Sequence, residues 1–91
     1  MSNYKLIDEA YIYTSDQFYP NFEGDLVSVA VMRLYTEIST YRVCVWGMDD
    51  CGFERDWQSH NPEEARKVYD KIVASGDVTY KLLNNLGFKA A

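Results

Sequence analysis

The tetrapeptide Asn61-Pro62-Glu63-Glu64 divides this chain in two. Asn is a strong N-cap, Pro is tolerated at the first helical position, and Glu64 falls three residues after the cap, so a helix begins here. Beyond it, Ala65, Val68, Tyr69, Ile72 and Val73 recur at helical spacing as an inward stripe, while Arg66, Lys67, Asp70 and Lys71 point outward. Gly76 supplies the stop. Asp77 is placed to cap a second helix from Val78 to about Asn85, with Leu82, Leu83 and Leu86 apolar and Gly87-Phe88 closing it. Residues 89–91 are expected to fray.

Before Asn61 the dominant period is two. Tyr41-Arg-Val-Cys-Val-Trp-Gly-Met and Phe53-Glu-Arg-Asp-Trp57-Gln are β-favouring runs around Asp49-Asp50-Cys51-Gly52, the composition of a hairpin with a positive-φ residue in its turn. A loop of two or four residues sets even positions of the first strand beside odd positions of the second. Cys44, Trp46 and Met48 then share a face with Phe53, Arg55 and Trp57, at the core or in a half-covered groove. Val43 and Val45 lie with Glu54, Asp56 and Gln58 on the other face.

The run from Leu26 to Thr36 fits two templates. Val27, Val29 and Val31 alternate as a strand, whereas Val27, Val31, Leu34, Tyr35 and Ile38 fit a helical stripe capped by Asp25; the β-branched alternation favours the strand. Residues 1–25 give one short strand around Tyr4, Leu6, Tyr11 and Tyr13, then a long aromatic loop with Phe18, Tyr19 and Phe22. The expectation is one α+β domain over residues 1–91: an irregular N-terminal segment to residue 25, a β-meander over 26–58, and helices over 61–86. Its sheet has three to four antiparallel strands, with both helices on one face. Ninety-one residues leave room for one core only.

Charge is unevenly placed. Residues 1–64 carry 12 acids and 4 bases, whereas residues 65–91 carry 2 acids and 5 bases, within a net charge of −5. The acidic part repels phosphate backbones and attracts basic surfaces, including those that hold nucleic acid. The plainer role for those acids is to keep an aromatic-rich domain soluble. The longest apolar stretch, Leu26 to Met32, is far too short for a membrane span, and the first residues lack the basic end and apolar run of a signal peptide. A cytoplasmic location is expected, with Cys44 and Cys51 as free thiols.

Catalytic and metal chemistry find little support. Asp49, Asp50, Glu54 and Asp56 lack the alternate spacing of a Ca²⁺ loop, and one His with two distant Cys makes a poor zinc set. Ser59 and His60 are sequence neighbours, whereas a nucleophile and its base converge from separate elements. No glycine-rich phosphate loop opens a helix. No cofactor and no enzymatic activity are expected. Trp46 and Trp57 with Arg55 between them form either a stacking site or core packing with a cation–π contact.

Protein recognition is then the leading class, since Tyr and Trp anchor interfaces and acids steer basic partners. In size, acidity and sheet-plus-helix layout the chain resembles small phage-encoded inhibitors of bacterial defence, the anti-CRISPR and DNA-mimic proteins. That resemblance implies an inhibitor acting in the bacterial cytoplasm on a protein with a basic surface, such as a nucleic-acid-binding complex. The candidate contacts are Asp49, Asp50, Glu54, Asp56 and Glu37, with Tyr19 and Phe22 as anchors. No direct nucleic-acid binding is expected, and a homodimer is left open. The alternatives are a nucleic-acid-binding regulator using Arg66, Lys67, Lys71, Lys81 and Lys89, a small enzyme or metal-dependent accessory protein, and a structural or assembly subunit.

Overall fold

The computed structural model describes residues 5–16, 29–47 and 54–90. Their elements run β1 (Lys5–Tyr13), β2 (Val29–Thr36), β3 (Tyr41–Gly47), β4 (Glu54–Ser59), α1 (Pro62–Ser75), α2 (Tyr80–Leu86) and β5 (Lys89–Ala90). All strand pairs are antiparallel, and spatial order follows chain order from β1 to β5. The fold is α+β, as the sequence implies, but the sheet has five strands rather than three to four.

The segment with two readings is a strand from Val29. Alternation sends Ala30, Met32 and Leu34 to one side, where all three are buried. They meet Ile12 from β1 and Val43 and Val45 from β3. Over this layer lie Ala65, Tyr69 and Ile72 of α1, then Val78, Leu83 and Phe88, in a single apolar cluster. A helix over 26–36 would have spread those side chains around a cylinder and left β1 and β3 without a shared neighbour.

Helix α1 begins as its residues dictate. The Asn61 side chain accepts hydrogen bonds from the Glu63 and Glu64 amides at 2.9 and 3.3 Å, and Pro62 opens the helix. Gly76, at φ +68°, closes it and donates its N–H to the Val73 carbonyl. The buried stripe is Ala65, Tyr69 and Ile72, with Val68 at its margin; Val73, expected inward, is exposed.

The second helix departs from expectation at its start. Its N-cap is Thr79, whose hydroxyl accepts from the Leu82 amide at 3.1 Å. Asp77 instead ties the helix connection to the end of β1, accepting from the Ser15 amide at 2.7 Å and the Ser15 hydroxyl at 2.6 Å. Asp16 reciprocates by accepting from the Tyr80 amide at 2.6 Å, and the Thr14 hydroxyl donates to the Val78 carbonyl. A carboxylate near exposed amides takes whichever donors tertiary packing brings closest, and here packing brought Ser15.

Gly87 explains the fifth strand. At φ +90° it reverses the chain so that the Phe88 amide donates to the Leu83 carbonyl, and Phe88 turns back into the core. Lys89 and Ala90, expected to fray, emerge beside β4 and pair with Asp56 and Arg55.

The β3–β4 hairpin has the opposite phase to the expected one. Val43 pairs with Trp57, Cys44 with Asp56, Val45 with Arg55 and Trp46 with Glu54. Odd faces odd, so an odd number of residues, seven, separates the paired Trp46 and Glu54, rather than two or four. Val43, Val45 and Trp57 pack toward the helices, while Cys44 and Trp46 join Glu54 and Asp56 on the opposite face. Trp46 and Trp57 are thus separated by the sheet. Arg55 lies between neither pair of rings, its guanidinium 5.9 Å from the Tyr80 ring instead. No helix among the described residues is long and apolar enough to cross a membrane.

Candidate macromolecular interface

Because both helices cover one side, the other side of the sheet is built only of strand side chains, and its composition follows from register. One row across it reads Tyr11, Val31, Trp46, Glu54. The next reads Glu9, Arg33, Cys44, Asp56, Lys89, and a third reads Leu6, Tyr35, Arg42, Gln58. Tyr13 and Val29 continue the surface at one end. Tyr11 and Tyr13 are 58% and 57% exposed, large values for aromatic rings on a sheet.

Arg33 organises the middle of this face. Its guanidinium lies 4.8 Å from the Trp46 ring centroid, its Nε donates to Glu9, and one terminal nitrogen reaches the Tyr35 hydroxyl at 3.2 Å. The Tyr35 hydroxyl and the Glu9 carboxylate both favour the charged guanidinium, raising its pKa above the ordinary value. A planar cation against an indole face fixes Trp46 as a flat platform.

Arg42 organises the row beside it. It donates to the Asp56 carboxylate at 2.5 Å and stands 3.9 Å from Glu37. Beneath these charges sits Cys44, buried among Arg33, Asp56, Arg42 and Trp46 along and across the strands. Burial, and then the neighbouring Asp56 carboxylate, push its thiol up to about 12 from an ordinary value of 9.0. A thiol that far from ionisation is a poor nucleophile near neutrality.

The expected contact residues fall into three groups. Glu37 and Asp56 converge on Arg42, whose single charge offsets one of their two. Glu54 is exposed at the end of the Trp46 row. Asp49, Asp50, Tyr19 and Phe22 lie outside the described residues, as does Cys51. The flanking positions Asp16, Val29, Gly47 and Glu54 all belong to one end of the sheet, since the meander reverses direction at each strand.

Acidity within the described residues is mostly spent internally. Glu23, Asp25, Asp49 and Asp50 fall outside them, leaving ten acids against nine bases. Asp8 bonds Arg66 at 3.0 Å, which with the Glu9 amide lowers its pKa, and Arg66 also meets Asp70 at 3.4 Å. Arg66, a candidate phosphate ligand, is therefore engaged, while Lys67, Lys71 and Lys81 remain exposed on the helices. His60 contacts the Ser39 carbonyl through Nδ1 at 2.7 Å, bracing the β2–β3 turn.

Sequence reasoning missed Tyr11, Tyr13, Arg33, Tyr35 and Trp46 as one surface. The alternation of Tyr11 and Tyr13 about Ile12 was a signal for it. Trp46 could not be placed until the hairpin phase was known. Comparison of the chain with protein-family models, curated proteins and solved structures finds no match.

Proposed function

We propose that this chain is a non-catalytic protein-binding module, an inhibitor or regulator of a nucleic-acid-processing or defence complex in the bacterial cytoplasm, and that it docks through the helix-free face of its sheet. The observation that carries this reading is a ring surface in which exposed Tyr11 and Tyr13 adjoin half-buried Tyr35 and Trp46, braced by Arg33. Rigid aromatics held on strands lose little entropy on binding and dominate interface energetics. The partner has a basic surface: exposed Glu54 adjoins the rings, and Asp49 and Asp50 lie in the connection that begins after Gly47.

Capture from a bacterial lysate with immobilised protein tests the reading. Trp46→Ala and Tyr13→Ala are each expected to reduce capture of the specific partner by about tenfold or more, the scale of a hot-spot truncation. Asp49→Lys with Asp50→Lys reports on the acidic connection separately. Retained capture by both ring variants would remove the sheet face as the contact surface.

A second reading draws on the stacking of Arg33 over Trp46, a geometry that also suits the bases of a single strand. Titration with single-stranded oligonucleotides, following tryptophan fluorescence, distinguishes the two. Quenching that weakens steeply with added salt would favour nucleic acid. Paired arginines and exposed Glu54 on this face argue for protein.

A further inference from the structure

We propose that the outer edge of β1 pairs with β1 of a second copy of this chain, antiparallel about Ala10, so that two five-stranded sheets join into one. The two edges of the sheet differ in kind. One ends in β5, a two-residue strand carrying Lys89, which is the usual way of blunting an edge. The other is β1, nine residues long, with Leu6, Ile7, Tyr11 and Tyr13 all more than 40% exposed. A long edge strand with exposed apolar side chains is a template for a further strand.

Among the described residues, the backbone shows which part of that edge is open. The Tyr13 carbonyl accepts from the Val78 amide at 2.9 Å rather than from β2. The Glu9 amide likewise bonds the Asp8 side chain at 2.8 Å. In an antiparallel strand each residue's N–H and C=O point the same way, so Glu9, Tyr11 and Tyr13 face outward while Ala10 and Ile12 face β2. Val78 closes the window at one end. The extra residue Ile7, in the bulge between Leu6 and Asp8, closes it at the other. Glu9 and Tyr11 remain, one on each side of Ala10.

That window is its own complement. A twofold axis at Ala10 sets Glu9 opposite Tyr11 of the second copy, forming two bonds from Tyr11 N–H to Glu9 C=O. Two more run from Glu9 N–H to Tyr11 C=O once the Glu9 amide leaves Asp8, which keeps Arg66. Pairing centred on Glu9 would oppose two carboxylates, and pairing centred on Tyr11 would need the Tyr13 carbonyl that Val78 occupies. The opposed carboxylates exclude the Glu9-centred register and the occupied Tyr13 carbonyl excludes the Tyr11-centred one, which leaves the Ala10-centred pairing, in which the window is complemented by a second copy of itself.

Sedimentation equilibrium from about 1 µM to about 1 mM should show a mass rising toward twice that of the chain, as mass action requires. Tyr11→Pro removes an outward N–H at an edge, where proline is tolerated, together with the Tyr11 ring; it should weaken association by at least about tenfold, and by more than Tyr11→Ala, which loses the ring and keeps the N–H. Amide exchange on the unaltered chain provides an independent measurement: Tyr11 should slow by about tenfold or more between dilute and concentrated samples, with Ala10 and Ile12 unchanged. A monomer at every concentration, or a dimer in which the Tyr11 amide exchanges as fast as in dilute solution, overturns the proposal. Neither result bears on docking through the sheet face.

Discussion

Cys44 shows how much a single side chain owes to register. One position along the strand in either direction would place it beneath α1. Instead it lies on the helix-free face and is still buried, because Arg33, Arg42, Trp46 and Asp56 close over it. Its thiol, pushed up to about 12, should react with a thiol-specific reagent on native protein at least about a hundredfold more slowly than after denaturation. Equal rates would mean that the charged side chains above it do not exclude solvent. Tyr69 offers the complementary case. Its hydroxyl is buried and has no hydrogen-bond partner among the described residues, so the ring contributes packing while the oxygen costs desolvation. Tyr69→Phe should leave stability unchanged or raise it by up to about 1 kcal/mol in urea unfolding at neutral pH, since it removes an unsatisfied polar atom without opening a cavity.

At the scale of elements, the helices are held by their ends. Asn61 binds two first-turn amides of α1, and Asn61→Ala should lower stability by about 1 kcal/mol. Gly87 is different, because its left-handed conformation both closes α2 and aims the chain at β4. Gly87→Ala meets open space at its Cβ, so its cost is conformational, on the order of 1 kcal/mol. It should also speed exchange of the amides that pair β5 with β4, an effect Asn61→Ala should not produce. If both variants leave those amides alike, the turn at Gly87 does not set the fifth strand.

At the scale of the whole molecule, two buried ionisable groups among the described residues, Cys44 and Tyr69, predict an alkaline limit. Cys44 has an ordinary value of 9.0 and Tyr69 of 10.0, and both are raised to about 12 by burial. Each folded-state pKa exceeds its unfolded value, so the folded chain keeps protons that the unfolded chain releases. Their contribution is complete below about pH 9 and is lost as pH rises toward 12. Thermal midpoints should fall across that window, and Cys44→Ala combined with Tyr69→Phe should flatten the fall. An unchanged slope in the double variant would assign the alkaline loss to other groups.

The sequence by itself determined the elements whose signals are local. Asn61, Pro62 and Gly76 specify α1 within a few residues, whereas the β-branched alternation of Val27, Val29 and Val31 favours β2 over a helical stripe that fits the same run. Tertiary structure alone decided what depends on distant partners. The parity of the β3–β4 connection placed Trp46 with Arg33 and away from Trp57, and one residue more or less would have inverted that face. Packing, not spacing, gave Asp77 to Ser15, and only the return of Phe88 to the core brought Lys89 and Ala90 to β4. A cap is satisfied by residues three apart, whereas a sheet face is assembled from strands whose phase no single segment contains.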